Sequence, residues 1–207
     1  MSKESDQMKS HSLIKTPDRD IRGHVFRDKL LKIIKEKSYE KKEVTLASGK
    51  KSDFYIDCRQ TTLHPEGAYL VGKILYQMII EAGLDIEAVG GPTMGADPIA
   101  TAISVVSQFE GKPLPAFIVR KEPKKHGLGQ WIEGKKNLAK GAKVAIVEDV
   151  VTSGSSSLQA AKRAEEEGLK VVAIFAIVDR EEGGAEKIRD AGYNFKAIFT
   201  KRDVTGG

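Results

Sequence analysis

A single cysteine, Cys58, stands among 207 residues. One thiol cannot close an internal disulfide, and such sparing use fits a reducing compartment. Aromatic residues make up only 6% of the chain, with one tryptophan, Trp131. That is too thin an interleaving for a platform on which single-stranded nucleic acid would stack. The longest apolar run, Val171 to Val178, is far too short to span a bilayer, and the first residues hold no apolar signal core. Neither a Gly-x-x-x-x-Gly-Lys-Ser/Thr loop nor a Gly-x-Gly-x-x-Gly fingerprint occurs, and no His/Cys cluster has transition-metal spacing. The expectation is a cytoplasmic protein with no nucleic-acid and no membrane partner.

What is present is an ordinary globular composition, 40% hydrophobic and 30% charged, in a chain long enough for a sizeable core. The net charge of +5 is concentrated: between Arg120 and Lys143 eight Lys/Arg face only Glu122 and Glu133. A stripe of this kind suits a small polyanionic ligand.

Residues 1–20 balance four acids against four bases without periodicity and are expected to form a flexible arm. From Ile21, apolar residues recur at helical spacing through Ile34. Lys42 to Ala47 and Ser52 to Asp57 read as two strands around the Ser48-Gly49-Lys50-Lys51 turn. After Pro65, helices and strands alternate: helix 67–82, strand 86–89, helix 94–108, strand 114–119, a polar segment 121–141, strand 143–148, helix 155–167, strand 169–178, helix 182–191 and strand 194–199. Such alternation implies an α/β protein with a doubly wound, mostly parallel sheet and helices on both faces. Residues 21–207 are read as one domain, with a small N-terminal hood of helix plus hairpin over 21–62 and a core over 63–200.

The most informative stretch is Val144 to Leu158. An apolar run reads as a buried parallel strand ending at Glu148 and Asp149, followed by Thr152-Ser153-Gly154-Ser155-Ser156 and a helix. Ser155, Ser156 or Ser157 is placed as that helix's N-cap. Backbone N–H groups and hydroxyls then converge at a helix N-terminus, where a phosphate monoester binds well. The adjacent carboxylates would repel that phosphate and suit sugar hydroxyls, with a divalent cation close by. A second cluster, Arg120-Lys121-x-x-Lys124-x-His126-Gly127, opens a glycine-containing segment over 120–141, which suits a mobile flap closing over an anion.

The acidic pair followed by Thr-Ser-Gly-Ser-Ser resembles the diphosphoribose-binding signature of type I phosphoribosyltransferases. The 120–127 cluster resembles the catalytic loop of the orotate phosphoribosyltransferases among them. Leu46 to Asp57 resembles their orotate-side loop, and Ile177-Val178-Asp179-Arg180 the position whose arginine holds the orotate carboxylate. The resemblance covers residues 21 to 199, with its motifs in the family's order. It implies the type I phosphoribosyltransferase fold and transfer of a phosphoribosyl group from phosphoribosyl diphosphate to orotate. It further implies Mg2+ held mainly through substrate oxygens rather than by a protein metal site, and a homodimer whose catalytic loop reaches the neighbouring subunit's site.

On that resemblance, Lys124, His126 and Asp149 carry catalysis. Thr152, Ser153, Gly154, Ser155 and Ser156 take the 5′-phosphate, and Glu148 with Asp149 the ribose hydroxyls. Arg120 and Lys121 join Lys124 and His126 on the departing diphosphate, and Arg180 with backbone of Phe54 and Tyr55 orients orotate. Many relatives carry lysine where this chain has Ala47 and Met94, so either Lys50, Lys51 and the flap compensate or the diphosphate is held more by magnesium and backbone. Two rivals stay open: a phosphoribosyltransferase for a purine or uracil, and a regulator that binds phosphoribosyl diphosphate without chemistry.

Overall fold

A computed structural model describes residues 19–45, 51–123 and 130–206. Helix α1 (Arg19–Ile33) runs into a π-helical turn (Ile34–Ser38), burying Leu30, Ile33 and Ile34. Strands β1 (Tyr39–Thr45) and β2 (Lys51–Ile56) pair antiparallel as a separate ribbon, across which Phe54 packs on Tyr39 at 5.3 Å between ring centroids, and buried Phe54 joins the ribbon to the main core. β1 starts earlier than the sequence pattern indicates because Tyr39 pairs with Ile56. Of the turn expected over Ser48-Gly49-Lys50-Lys51, only Lys51 is described, as the first residue of β2; Ala47 and Lys50 lie outside the described residues.

A short helix α2 (Arg59–Thr62) leads into α3 (Pro65–Glu81). His64 caps α3, its Nδ1 accepting the Gly67 N–H at 3.4 Å, and Pro65 occupies the first turn, where its missing N–H costs nothing. β3 (Ala88–Pro92), α4 (Ala96–Phe109) and β4 (Ala116–Val119) follow. The polar segment expected over 121–141 contains a two-residue strand β5 (Ile132–Glu133) and a 3-10 turn (Lys135–Asn137), anchored because Ile132 is an apolar residue buried against the sheet. β6 (Lys143–Val151), α5 (Ser155–Glu166), β7 (Lys170–Asp179), α6 (Gly184–Asp190), β8 (Asn194–Thr200) and α7 (Lys201–Thr205) complete the order. α7 was not expected; Thr200 and Asp203 form a reciprocal capping box that starts it.

Among the described residues the large sheet runs β5-β4-β3-β6-β7-β8, parallel throughout except for the β4–β5 pair. Strand alternation splits the core. Ala145 and Val147 of β6, with Phe175 and Ile177 of β7, face α1, α3 and α4. Val144, Ile146, Ile174 and Ala176 face α5 and α6. Each large side chain so buried contributes about 1.5–3 kcal/mol. The direction of winding reverses between β3 and β6. A crevice opens at such a switch point, beyond the carboxyl ends of the strands. Among the described residues no helix is long and apolar enough to cross a membrane.

Candidate active site

β6 does not stop at its acids. It continues through Glu148 and Asp149 to Val151, with Glu148 opposite Ala176 and Val151 opposite Asp179. The strand end expected at 148 is corrected: Val150 and Val151 are β-branched, Val151 is buried, and both extend the ladder with β7. Period-two alternation turns Glu148 toward α5, where it accepts the Ser157 hydroxyl at 3.1 Å. Asp149 Oδ1 accepts the N–H of Val150 at 2.8 Å. Burial, then the neighbouring Asp149 carboxylate, pushes the Glu148 carboxyl up to about 8, and burial raises Asp149 as well.

Both acids reach the turn between β3 and α4. A Cβ at Gly95 would stand 2.7 Å from Asp149 Oδ1 and 3.2 Å from Glu148 Oε1, so only glycine lets this turn approach the pair. Met94 beside it is 60% exposed and lines the cleft, where its thioether offers no charge.

The Ser155–Ser157 N-cap is also corrected. Gly154 is the cap residue, with φ of 71° that a side chain would strain, and α5 begins at Ser155 with no side-chain cap bond. The serine hydroxyls are therefore not consumed by capping. Ser153 and Ser155 Oγ lie 3.1 Å apart on the surface, and Lys187 Nζ of α6 donates to Ser155 Oγ at 3.3 Å. Ser156 lines the cleft, and Thr152 sits half-buried at the start of the turn. The arrangement leaves N–H groups, hydroxyls and one ammonium available to an anion.

The cleft, about 620 Å³, is closed on its other side by Arg120 and Lys121, which follow β4. Arg120 is held by Glu133 of β5 at 2.8 Å, and Lys121 is exposed. Lys124 and His126 lie outside the described residues. Tyr55 also lines the cleft. Phe54 and Arg180 sit to one side, both buried: the Arg180 guanidinium lies 5.2 Å from the Phe54 ring centroid, its Nη2 reaches Phe54 O at 3.5 Å, and Glu182 pairs with it at 3.0 Å.

Sequence reasoning passed over four residues. Arg59 lines the cleft, paired with Asp57 at 2.7 Å, and that pairing lowers the Asp57 carboxyl. Its placement comes from the tight turn into α2, which has no sequence signature. Gln159 and Arg163 line the cleft with Ser156. Their spacing of three and seven residues from Ser156 on one helix was a readable signal. Lys187 reaches the turn only through α6, a long-range placement.

Among the described residues no group of three or more His, Cys, Asp or Glu converges. The adjacent carboxylates of Glu148 and Asp149 offer hard oxygen donors, and a divalent cation would offset the burial that raises both and the Asp149 charge that further raises Glu148. They fit magnesium if substrate oxygens complete its shell.

The family model of the phosphoribosyl transferase domain matches residues 59–199. The chain is 47% identical to the orotate phosphoribosyltransferase of Sorangium cellulosum over 86% of this chain and 92% of that protein. It is 48% identical to that of Aquifex aeolicus over 84% and 94%. Among solved structures, Mycobacterium tuberculosis orotate phosphoribosyltransferase in complex with 5-phospho-alpha-D-ribosyl 1-diphosphate superposes with a TM-score of 0.71 at 34% identity, covering 87% of this chain and 99% of that one. Adenine phosphoribosyltransferase from Leishmania donovani, at 18% identity and a TM-score of 0.60, shares the fold.

Proposed function

The chain belongs to the orotate phosphoribosyltransferase family, and from that premise we propose how its own residues divide the reaction. The enzyme transfers the 5-phosphoribosyl group of phosphoribosyl diphosphate to orotate, giving orotidine 5′-monophosphate and diphosphate in pyrimidine biosynthesis. The bond from the anomeric carbon to diphosphate breaks, a bond to a ring nitrogen of orotate forms, and that nitrogen's proton leaves. Positive charge grows on the ribose and negative charge on the diphosphate, so catalysis consists of stabilising both where they develop.

The observation that carries this reading is the convergence on one cleft of Glu148 and Asp149 from β6, Ser156 from α5, and Arg120 and Lys121 after β4. The turn from Thr152 through Ser153, Gly154 and Ser155 to Ser156 receives the 5′-phosphate at the start of α5. Glu148 and Asp149 accept from the ribose hydroxyls, and Asp149 faces the growing positive charge. Arg120 and Lys121 neutralise the departing diphosphate together with Lys124 and His126, the latter donating a proton; Lys50 adds charge on the same side. Arg180, with backbone of Phe54 and Tyr55, orients orotate, its fork matching a planar carboxylate. Glu148 and Asp149 would hold magnesium alongside substrate oxygens. When bound, magnesium would supply positive charge that offsets the charge growing on the departing diphosphate.

A second copy of the chain completes the assembly. α2, α3 and α4 frame an apolar groove of about 950 Å³ beside the cleft, with Leu63, Tyr69, Met94 and Val105 exposed. Asp57, Arg59 and Met94 line both groove and cleft, so a subunit seated there lies against the active site. This supports a homodimer with a shared catalytic loop, and the single cysteine fits a reducing compartment such as the cytoplasm.

The direct test mixes the protein, phosphoribosyl diphosphate and magnesium with orotate, uracil, hypoxanthine or adenine in turn, and follows diphosphate release. Release with orotate alone is expected. Release with another base instead would replace orotate as substrate, and tight binding without release would return the regulator.

A further inference from the structure

Helix α5 starts at the phosphate-side turn and, two turns on, grips the base of the hairpin that carries Arg120 and Lys121. Arg163 Nη1 donates to Arg120 O at 2.8 Å and reaches Lys121 O at 3.4 Å. Its guanidinium carbon lies 3.8 Å from the centroid of the Trp131 ring. One turn further, Glu167 Oε1 accepts the Trp131 N–H at 3.3 Å, and Lys135 pairs with the same carboxylate. The Arg120 N–H donates to Trp131 O at 2.9 Å, so the two arms of the hairpin are fastened to each other as well as to the helix.

The chemistry of these contacts is specific to arginine. A planar guanidinium presents its face to the indole while its edge donates to two successive carbonyls; an ammonium cannot do both. The β4 ladder with β3 ends at Val119, so beyond it the backbone of 120–121 is held by the Arg120 N–H bond to Trp131 O and by the two carbonyl contacts of Arg163.

We propose that Arg163 is a positioning residue that fixes the backbone of Arg120 and Lys121 and so aims these two cations at the departing diphosphate. The proposal rests on the reading above that Arg120 and Lys121 face that group. It makes α5 the ruler of the site: its first turn sets the 5′-phosphate and its third sets the diphosphate cations. An error of an ångström at either end is costly to turnover.

Trp131 is the chain's one tryptophan and reports directly on this contact. In the variant R163A, acrylamide quenching of Trp131 rises and its response to phosphoribosyl diphosphate with magnesium shrinks, while circular dichroism is unchanged. Turnover falls about tenfold while KM for phosphoribosyl diphosphate moves by less than about threefold. R163K, which keeps the charge and protects against loss of the fold, recovers only part of the turnover. In a background lacking both cations, R120A/K121A, adding R163A costs no further turnover, because its effect passes through them. A second tenfold loss in that background overturns the proposal alone, as does unchanged quenching of Trp131 in both Arg163 variants. Full turnover in R120A/K121A itself overturns the proposal together with the reading it rests on.

Discussion

The Ser157 hydroxyl donates to Glu148 Oε2 at 3.1 Å, tying the first turn of α5 to a carboxylate buried on β6. That bond favours the ionised acid, while burial and Asp149 oppose it and win, leaving the carboxyl near 8. An acid raised in the folded state holds its proton there longer than in the unfolded chain. Between its ordinary value of 4.5 and about 8 the folded state therefore binds more protons, and stability falls as pH rises. The slope from this group is at most about 1.4 kcal/mol per pH unit. The ligand-free, metal-free protein should melt at a lower temperature near pH 8 than near pH 5, and Glu148→Gln should flatten that decline. Ser157→Ala removes the side-chain bond that lowers Glu148 and should carry the decline to higher pH. Equal slopes in wild type and Glu148→Gln would refute this assignment.

Arg180 is 8% exposed, and its guanidinium is held against the Phe54 ring and paired with Glu182. If it binds the orotate carboxylate, Arg180→Lys should raise KM for orotate by about tenfold or more, since a bidentate charged pair is lost. KM for phosphoribosyl diphosphate should stay nearly constant. Steady-state kinetics with each substrate varied separately decides it, and parallel rises in both constants would assign Arg180 to holding the hood in place.

The sheet and its helices were legible because long apolar runs such as 171–178 carry enough buried surface to fix strand and face. The acidic pair and the hydroxyl-rich turn were legible because they are contiguous in sequence. Three things were not. The Ser155–Ser157 cap failed because Gly154, free to adopt a positive φ, took the position that propensity assigns to serine. The end of β6 was misread because two carboxylates look like a terminus, whereas Val150 and Val151 continue the ladder past them. Arg59 and Lys187 could not be placed at the site from sequence, since the topology alone brings α2 and α6 to the turn after β6, whereas the spacing that sets Gln159 and Arg163 beside Ser156 on α5 was readable and was passed over.

Val105 is 57% exposed on α4 in the apolar groove beside the cleft. If a second copy covers this groove, Val105→Glu buries an unpaired carboxylate in the interface, a change that costs several kcal/mol. Sedimentation should then find dimer for the wild type and monomer for the variant. On the proposed homodimer with its shared catalytic loop, turnover should fall as the dimer is lost. A variant that stays monomeric at full activity would break the link between assembly and chemistry.

Lys124 belongs to the same basic cluster as Arg120 and Lys121, although it lies outside the described residues. A cation facing the diphosphate meets more negative charge as the bond to the sugar breaks than it did in the ground state. Its contact therefore strengthens along the reaction and lowers the barrier more than it tightens binding. Lys124→Ala should lower kcat by about a hundredfold, equivalent to about 2.7 kcal/mol, with a much smaller change in KM for phosphoribosyl diphosphate. Lys121→Ala should act in the same direction, since Lys121 is exposed at the rim of the same cleft. The comparison needs kcat and KM measured together with orotate saturating. Equal losses in binding and turnover at Lys124 would mean uniform binding of substrate and transition state, and the catalytic role would then pass to the remaining cations of the cluster.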